Sequence, residues 1–268
     1  MIIPYEGAVK PFRIYGNCYF VGTIPASSHL IDTGEGLILI DPGFPQSLYL
    51  VLESIRELGF DPHDIRYIIN THGHYDHLGA TRALTEMTGA KTFLGRADAD
   101  YANGKVNLTW AEELGYRYEK HEFFQPDVLL DDGAVIQLGD TGIRCRHTPG
   151  HTPGTMSFFL TLHGKRGDKA AGMFGGNGVN TLRRDFLVKH PELKVLRQAY
   201  RDSVAKLMTE KVDIHLGNHV GNNDTLRRGK EVLDGNYDAF LDPGDWRRFL
   251  QSRLRELDEI ETKEPVAE

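Results

Sequence analysis

An α/β fold in a single domain is the architecture that this sequence predicts, and three observations carry the prediction. β-branched and aromatic runs repeatedly end in turn residues, as in Ile65-Arg66-Tyr67-Ile68-Ile69-Asn70 and Leu37-Ile38-Leu39-Ile40-Asp41-Pro42-Gly43. Between them lie segments with an apolar period near 3.6 residues, such as Ser47 to Leu58. A chain of 268 residues without repeat, linker or low-complexity stretch suits one large domain with a substantial core.

In chain order, β-rich runs lie within Phe12 to Val21 and Ser28 to Asp41, with a hairpin turn at Thr33-Gly34-Glu35-Gly36. The Ser47–Leu58 helix presents Leu48, Leu50, Val51, Leu52, Ile55 and Leu58, and Gly59 closes it. Asp61-Pro62-His63-Asp64 turns the chain into the Ile65 strand. A helix is expected over Leu78 to Met87, a short strand over Ala90 to Leu94, and the start of another helix at Arg96 to Tyr101. Asn103 to Phe124 departs from simple periodicity and carries Trp110, Tyr116, Tyr118, Phe123 and Phe124. Such a loop either walls a pocket or covers a satellite apolar cluster. Val128 to Gly139 reads as two strands about an Asp131-Asp132-Gly133 hairpin turn. Further strands are expected at Gly142–His147, Thr155–Leu162, Lys169–Asn177 and Val212–Leu216. Gly178 to Leu187 reads as a polar loop, and His190 to Glu210 as a long helix with Pro191 in its first turn. Asp242 to Ile260 contains a charged amphipathic helix, packed on the domain or at a dimer contact.

The chemistry concentrates in Thr71-His72-Gly73-His74-Tyr75-Asp76-His77-Leu78-Gly79. Three histidines and one carboxylate, first-choice ligands for zinc, fall between His72 and His77. On a turn after a strand they can converge on one point, as they could not along a regular strand. The spacings of two and three are not the i, i+4 histidines of the zinc-protease helix. A second stretch, His147-Thr148-Pro149-Gly150-His151-Thr152-Pro153-Gly154-Thr155, is held rigid and non-helical by proline and glycine. A third, Val212 to Val220, puts His219 beyond a strand's C-terminal end, where α/β sites are built, and leaves His215 inside the strand as a structural residue.

His72-x-His74-x-Asp76-His77 resembles the His-x-His-x-Asp-His signature of the metallo-β-lactamase fold superfamily, and Thr148 to Gly154 resembles its Thr-Pro-Gly-His-Thr-Pro-Gly loop. The resemblance implies a four-layer αββα sandwich over one domain. It implies His72, His74 and His151 on one metal, Asp76, His77 and His219 on a second, and Asp41 buttressing the histidine turn. His147 is then a supporting residue. Many superfamily hydrolases place a metal-bridging Asp where this chain has Phe174-Gly175-Gly176-Asn177; no carboxylate or Cys stands there, and Asp168 precedes the strand. This departs from glyoxalase II, most lactonases and the flavodiiron enzymes. The ligand set is similar to that of the third subclass of class B metallo-β-lactamases.

The resemblance further implies a dinuclear zinc hydrolase that uses a metal-bridging hydroxide to open a cyclic amide such as a β-lactam, with Asp76 orienting the nucleophile. Asn177, Arg183 and Arg184 are the expected contacts to a small-molecule substrate, the arginines suiting a carboxylate. Hydrolysis of another ester, thioester or lactone is the alternative. The same donors also accept iron or manganese; with iron the chain would be an oxidoreductase, and a metal-stabilised binding module is a third reading. There is no Gly-x-Ser-x-Gly elbow.

The net charge of −7, without a basic patch, argues against nucleic acid. No apolar span of membrane-crossing length occurs. Met1 to Glu6 lack a basic and an apolar leader region, so a cytoplasmic location is expected, or a periplasmic or secreted one if a leader has been removed. Cys18 and Cys145 are far apart and outside any Cys-x-x-Cys pattern; free, buried thiols are expected. A homo-oligomer is left open.

Overall fold

The computed structural model describes residues 7–264, so the expectation for Met1 to Glu6 lies outside the described residues. The antiparallel strands β1 (Phe12–Tyr15), β2 (Cys18–Phe20), β3 (His29–Asp32) and β4 (Leu37–Ile40) open the chain. Helix α1 (Leu48–Glu57) leads to β5 (Ile65–Ile69), which pairs parallel to β4. Two helices follow, α2 (Tyr75–Leu78) and α3 (Thr81–Thr88), then β6 (Lys91–Gly95), α4 (Ala99–Ala102) and β7 (Val128–Leu130). These strands make one seven-stranded sheet in sequence order. The second sheet, ordered β12-β11-β10-β9-β8, contains β8 (Val135–Leu138), β9 (Thr141–His147), β10 (Met156–Leu162), β11 (Lys169–Met173) and β12 (Ile214–His215). Helices α5 (Arg184–Lys189) and α6 (Leu196–Leu207) precede β12; α7 (Thr225–Leu233) and α8 (Asp245–Lys263) follow it.

Side-chain alternation along the strands dictates the layering. Ile38 and Ile40 of β4 point between the sheets, where they share a core with Phe158, Leu160 and Leu162 of β10. Leu37 and Leu39 point the other way, onto Val51 and Ile55 of α1 and Leu84 of α3. On the far side, Phe159 of β10 packs with Tyr200 and Val204 of α6 and with Trp246 and Leu250 of α8. Helix, sheet, sheet and helix follow one another, which is the αββα sandwich. Each fully buried Leu, Ile or Phe contributes about 1.5–3 kcal/mol.

Several expected elements differ in detail. β7 and β8 do not form a hairpin: β7 pairs with β6 in the first sheet and β8 with β9 in the second. The turn residues between them serve separate elements, Asp131 binding the Arg96 guanidinium and Asp132 accepting from His147 N. The expected Leu78–Met87 helix is broken at Gly79 and Ala80, and Tyr75 to Leu78 form their own helical turn. Gly178 to Leu187 is not all loop, because α5 begins at Arg184. Pro191 starts a 3₁₀ turn through Val195, so α6 is regular only from Leu196. Helix α7 is an element that the sequence pattern does not predict. Cys18 and Cys145 are free and buried, and burial pushes the Cys145 thiol up to about 12.

His29 on β3 is buried edge-on to Phe20, and its Nδ1 has no hydrogen-bond partner. Burial, helped by His215, lowers its pKa to about 3. Below about pH 6.5 the unfolded chain therefore takes a proton at this position that the folded chain refuses, and stability falls as pH falls. Between pH 6.5 and 5, His29→Gln should lose about 2 kcal/mol less unfolding free energy than the parent in urea titrations; equal losses would contradict the assignment.

Candidate metal centre

Beyond Ile69 the chain leaves the sheet. Asn70 N still donates to Phe93 O (2.9 Å), and Thr71 onward forms a loop that runs into α2. His72 and His74 lie on the loop; Asp76 and His77 lie in the single turn of α2, whose N-cap is His74. Gly73 has no room for a side chain, since a Cβ would stand 2.7 Å from the Tyr101 ring.

The loops of the second sheet bring His151 and His219 to meet them. Donor atoms of His72, His74 and His151 lie within 4.8 Å of one another, and so do those of Asp76, His77 and His219. All six expected ligand residues thus fall into the two expected groups. The groups adjoin: the His72 and His77 rings are 4.3 Å apart between centroids. Within the second group, His77 Nε2 is 3.2 Å from His219 Nε2 and 3.3 Å from Asp76 Oδ2.

Hydrogen bonds fix which nitrogen each ring offers. His77 Nδ1 donates to Asp41 Oδ2 (2.8 Å), His151 Nδ1 to Gly178 O (2.8 Å) and His219 Nδ1 to Pro25 O (3.1 Å). Thr71 Oγ1 donates to Asp41 Oδ2 (2.7 Å), so the 2.9 Å contact between Thr71 Oγ1 and His72 Nδ1 has the imidazole as donor. In each ring Nδ1 is taken up outside and Nε2 is turned toward the cluster, the orientation that binds a cation. His72 Nε2 is buried without any partner. A buried bare acceptor of this kind is costly unless something meets it, and a metal ion fits.

The charge balance points the same way. Burial first, and then the neighbouring imidazoles, hold His72 and His74 well below the usual histidine range. Burial lowers His151 to about 4, the Gly178 carbonyl opposing it. Burial opposes charge on His77 too, but the Asp76 and Asp41 carboxylates outweigh it and push His77 up to about 10. Burial would raise Asp76; His77 overrides it and keeps the carboxyl ionised, well below its ordinary value. Neutral imidazoles and ionised carboxylates are the ligand states of a metal site; the first group is already in them, and in the second the proton on His77 stands where a cation would replace it.

Asp41 is expected from the family resemblance; Asp98 is not. Asp98 is buried and ties the two ligand loops together, accepting from Gly73 N (2.8 Å), Thr152 Oγ1 (2.6 Å) and Gly154 N (2.6 Å). Burial raises it to about 6 against those hydrogen bonds. Nothing in Arg96-Ala97-Asp98 distinguishes it from an ordinary helix start. His147 binds Pro153 O through Nε2 (2.8 Å) and so braces the His151 loop. His215 is structural, with Nδ1 3.2 Å from Asp245 Oδ2. Gly175 and Gly176 occupy the place of the missing carboxylate, and a Cβ on Gly176 would stand 2.8 Å from His151 Cδ2.

The residues expected at the substrate lie apart from these donors in role. Asn177 is buried, with its amide turned to Asn218 and Asn222. Arg183 and Arg184 are exposed at the head of α5, and Arg183 approaches Asp185 at 3.8 Å. Both readings of the 103–124 loop hold in part. Trp110 flanks the centre, 5.9 Å from the His74 ring and 5.3 Å from Phe186. Tyr116 and Tyr118 instead pack against Tyr75.

Asp41 touches His77 of the second group directly and His72 of the first through the Thr71 hydroxyl, whereas Thr71 reaches only His72. Asp41→Ala should weaken zinc binding at both groups about 10–100-fold, and Thr71→Val at one group only, as read by competition with a zinc-binding dye. Parent-like affinities in Asp41→Ala would refute this role.

A family model described as the metallo-β-lactamase superfamily matches residues 21–164. The fold is similar to BJP-1, a subclass B3 metallo-β-lactamase of Bradyrhizobium japonicum, with 29% identity, a TM-score of 0.87 and 97% of each chain covered. "Probable metallo-hydrolase YflN" of Bacillus subtilis (strain 168) is 26% identical over 193 residues, 66% of this chain and 67% of YflN. N-acyl homoserine lactonase AttM of Agrobacterium fabrum (strain C58) is 29% identical over 163 residues, 54% of this chain and 59% of AttM. The chain spans about three fifths of the first curated relatives it matches. No helix among the described residues is long and apolar enough to cross a membrane. On the residues matched and the donor groups they carry, the chain belongs to the metallo-β-lactamase superfamily.

Proposed function

We propose that the chain hydrolyses a cyclic amide of the β-lactam type, with two zinc ions held by His72, His74 and His151 and by Asp76, His77 and His219. The observation that carries this reading is the pair of adjoining donor groups whose Nε2 atoms are left bare by outer hydrogen bonds. Bound there, two cations supply Lewis acidity and lower the pKa of water from 15.7 to about 7. The chain's own residues do the rest. The outer hydrogen bonds hold His72, His77, His151 and His219 in fixed tautomers and orientations. Asp76 presents Oδ2 between His77 and His219 and accepts a proton-bearing partner there, which orients the attacking water. Trp110 and Phe186 form an apolar wall beside His74 that shields the reacting carbonyl from bulk water. Arg183 and Arg184, at the start of the helix that carries Phe186, offer guanidinium groups to a substrate carboxylate.

Similarity to BJP-1 over nearly the whole chain, and glycines where a bridging carboxylate would stand, favour the β-lactam reading. The AttM match supports a second reading, opening of a lactone. Zinc-loaded protein should turn over nitrocefin, lose that activity with a chelator, and regain it with added zinc. Asp76→Asn should lower kcat about 10²-fold or more. Chelator-sensitive opening of an N-acyl homoserine lactone without nitrocefin turnover would move the substrate to the second reading; no chelator-sensitive hydrolysis of either would refute both.

A further inference from the structure

We propose that Asn177 is a positioning residue for the second donor group, holding His219 in place through Asn222 and Asn218; this rests on the two-ion reading above. His219 is the most exposed of the six ligand residues. Its side chain is 39% exposed, against 1% for His77 and 11% for Asp76. Its ring makes one outer hydrogen bond, at 3.1 Å to Pro25 O. It sits on a loop after the two-residue strand β12. The backbone beneath it must therefore be held from outside.

Asn177 supplies that hold. Its Nδ2 donates to Asn218 Oδ1 (2.5 Å), Asn222 Oδ1 (3.0 Å) and Phe174 O (3.3 Å), and its Oδ1 accepts from Asn222 Nδ2 (3.4 Å). Asn222 Oδ1 in turn accepts from the His219 backbone N (3.1 Å), and Asn222 N donates to His219 O (3.0 Å). Asn218 Nδ2 donates to Gly175 O, which closes the ring of amides onto the end of β11. The Asn177 carbonyl is itself fixed by Tyr200 Oη (2.5 Å) from α6. All polar atoms of the Asn177 amide are used inward and the residue is 3% exposed, so it turns no hydrogen-bonding group toward a substrate. The neighbouring Gly178 O meets His151 of the first group, whereas the Asn177 side chain bonds Phe174 O and the loop of the second group. With no room for a carboxylate at Gly175 or Gly176, this chain holds the second group by neutral amides. Supporting hydrogen bonds of this kind are typically worth 10–100-fold in metal affinity.

The test is a titration of the full-length apo-protein with Co(II) alone, reading visible absorption and bound cobalt per chain, for the parent, Asn177→Ala, Asn222→Ala and the double variant. The parent should bind two equivalents. Each single variant should bind the first as the parent does and the second about 10–100-fold more weakly. The double variant should lose less than the two single losses combined, because the Asn177–Asn222 contact is common to both. Parent-like binding of both equivalents in the variants, or equal weakening of both, would overturn the positioning role. Should Asn177→Ala not fold, as judged by circular dichroism, Asn222→Ala carries the same expectation alone. A parent that binds fewer than two equivalents would overturn the two-ion reading, and this proposal with it, whatever the variants do.

Discussion

The carboxylate of Asp41 is the group on which the centre depends. It is buried at the end of β4, in the left-handed backbone region at φ 53°. There it accepts from Thr71 N (2.7 Å), Thr71 Oγ1 and His77 Nδ1. Sheet register brings it there: β4 and β5 run parallel with Ile40 opposite Ile69, and Asp41 N donates to Ile69 O. One carboxylate thereby sets the tautomer of a histidine in each donor group. A non-glycine residue in that conformation is strained by about 1–3 kcal/mol, which the three hydrogen bonds to a buried charge offset.

The same centre joins the two halves of the sandwich. His72, His74, Asp76 and His77 come from the loop and turn after β5 of the first sheet. His151 precedes β10 and His219 follows β12, both in the second sheet. Asp98 adds a further tie between the Gly73 and Thr152–Gly154 loops. Six polar ligand residues packed beside an apolar core are unfavourable by themselves. The outer hydrogen bonds answer for Nδ1 of four rings, and the inner faces suit a cation.

Much of this is legible in the sequence because the signals are local. Four ligand residues fall within six positions at His72–His77, and proline and glycine frame His151. Strand cores such as Leu37–Ile40 announce themselves by composition, and the layering follows from alternation. Relations between distant segments are less legible. The Asp131-Asp132-Gly133 turn looks like a hairpin, yet tertiary demands on the two carboxylates send its strands to different sheets. Asp98 and Asn222 look like ordinary helix-start and loop residues; only burial and long-range partners set them apart. Asn177 looks like a substrate contact because it ends a strand near the centre, whereas its amide points inward. Pro191 begins a 3₁₀ turn rather than an α-helix, a difference that composition alone does not determine.

Function follows from pre-organisation. Fixed imidazole tautomers, an ionised Asp76 and an aromatic wall at Trp110 together suit the activation of a water against a carbonyl. The most direct test of the two-ion centre is diffraction at the zinc absorption edge from crystals grown with zinc. Two anomalous peaks per chain are expected, one among His72, His74 and His151 and the other among Asp76, His77 and His219, each facing the Nε2 atoms of the rings held at Nδ1. A single peak, or peaks outside these two groups, would contradict it.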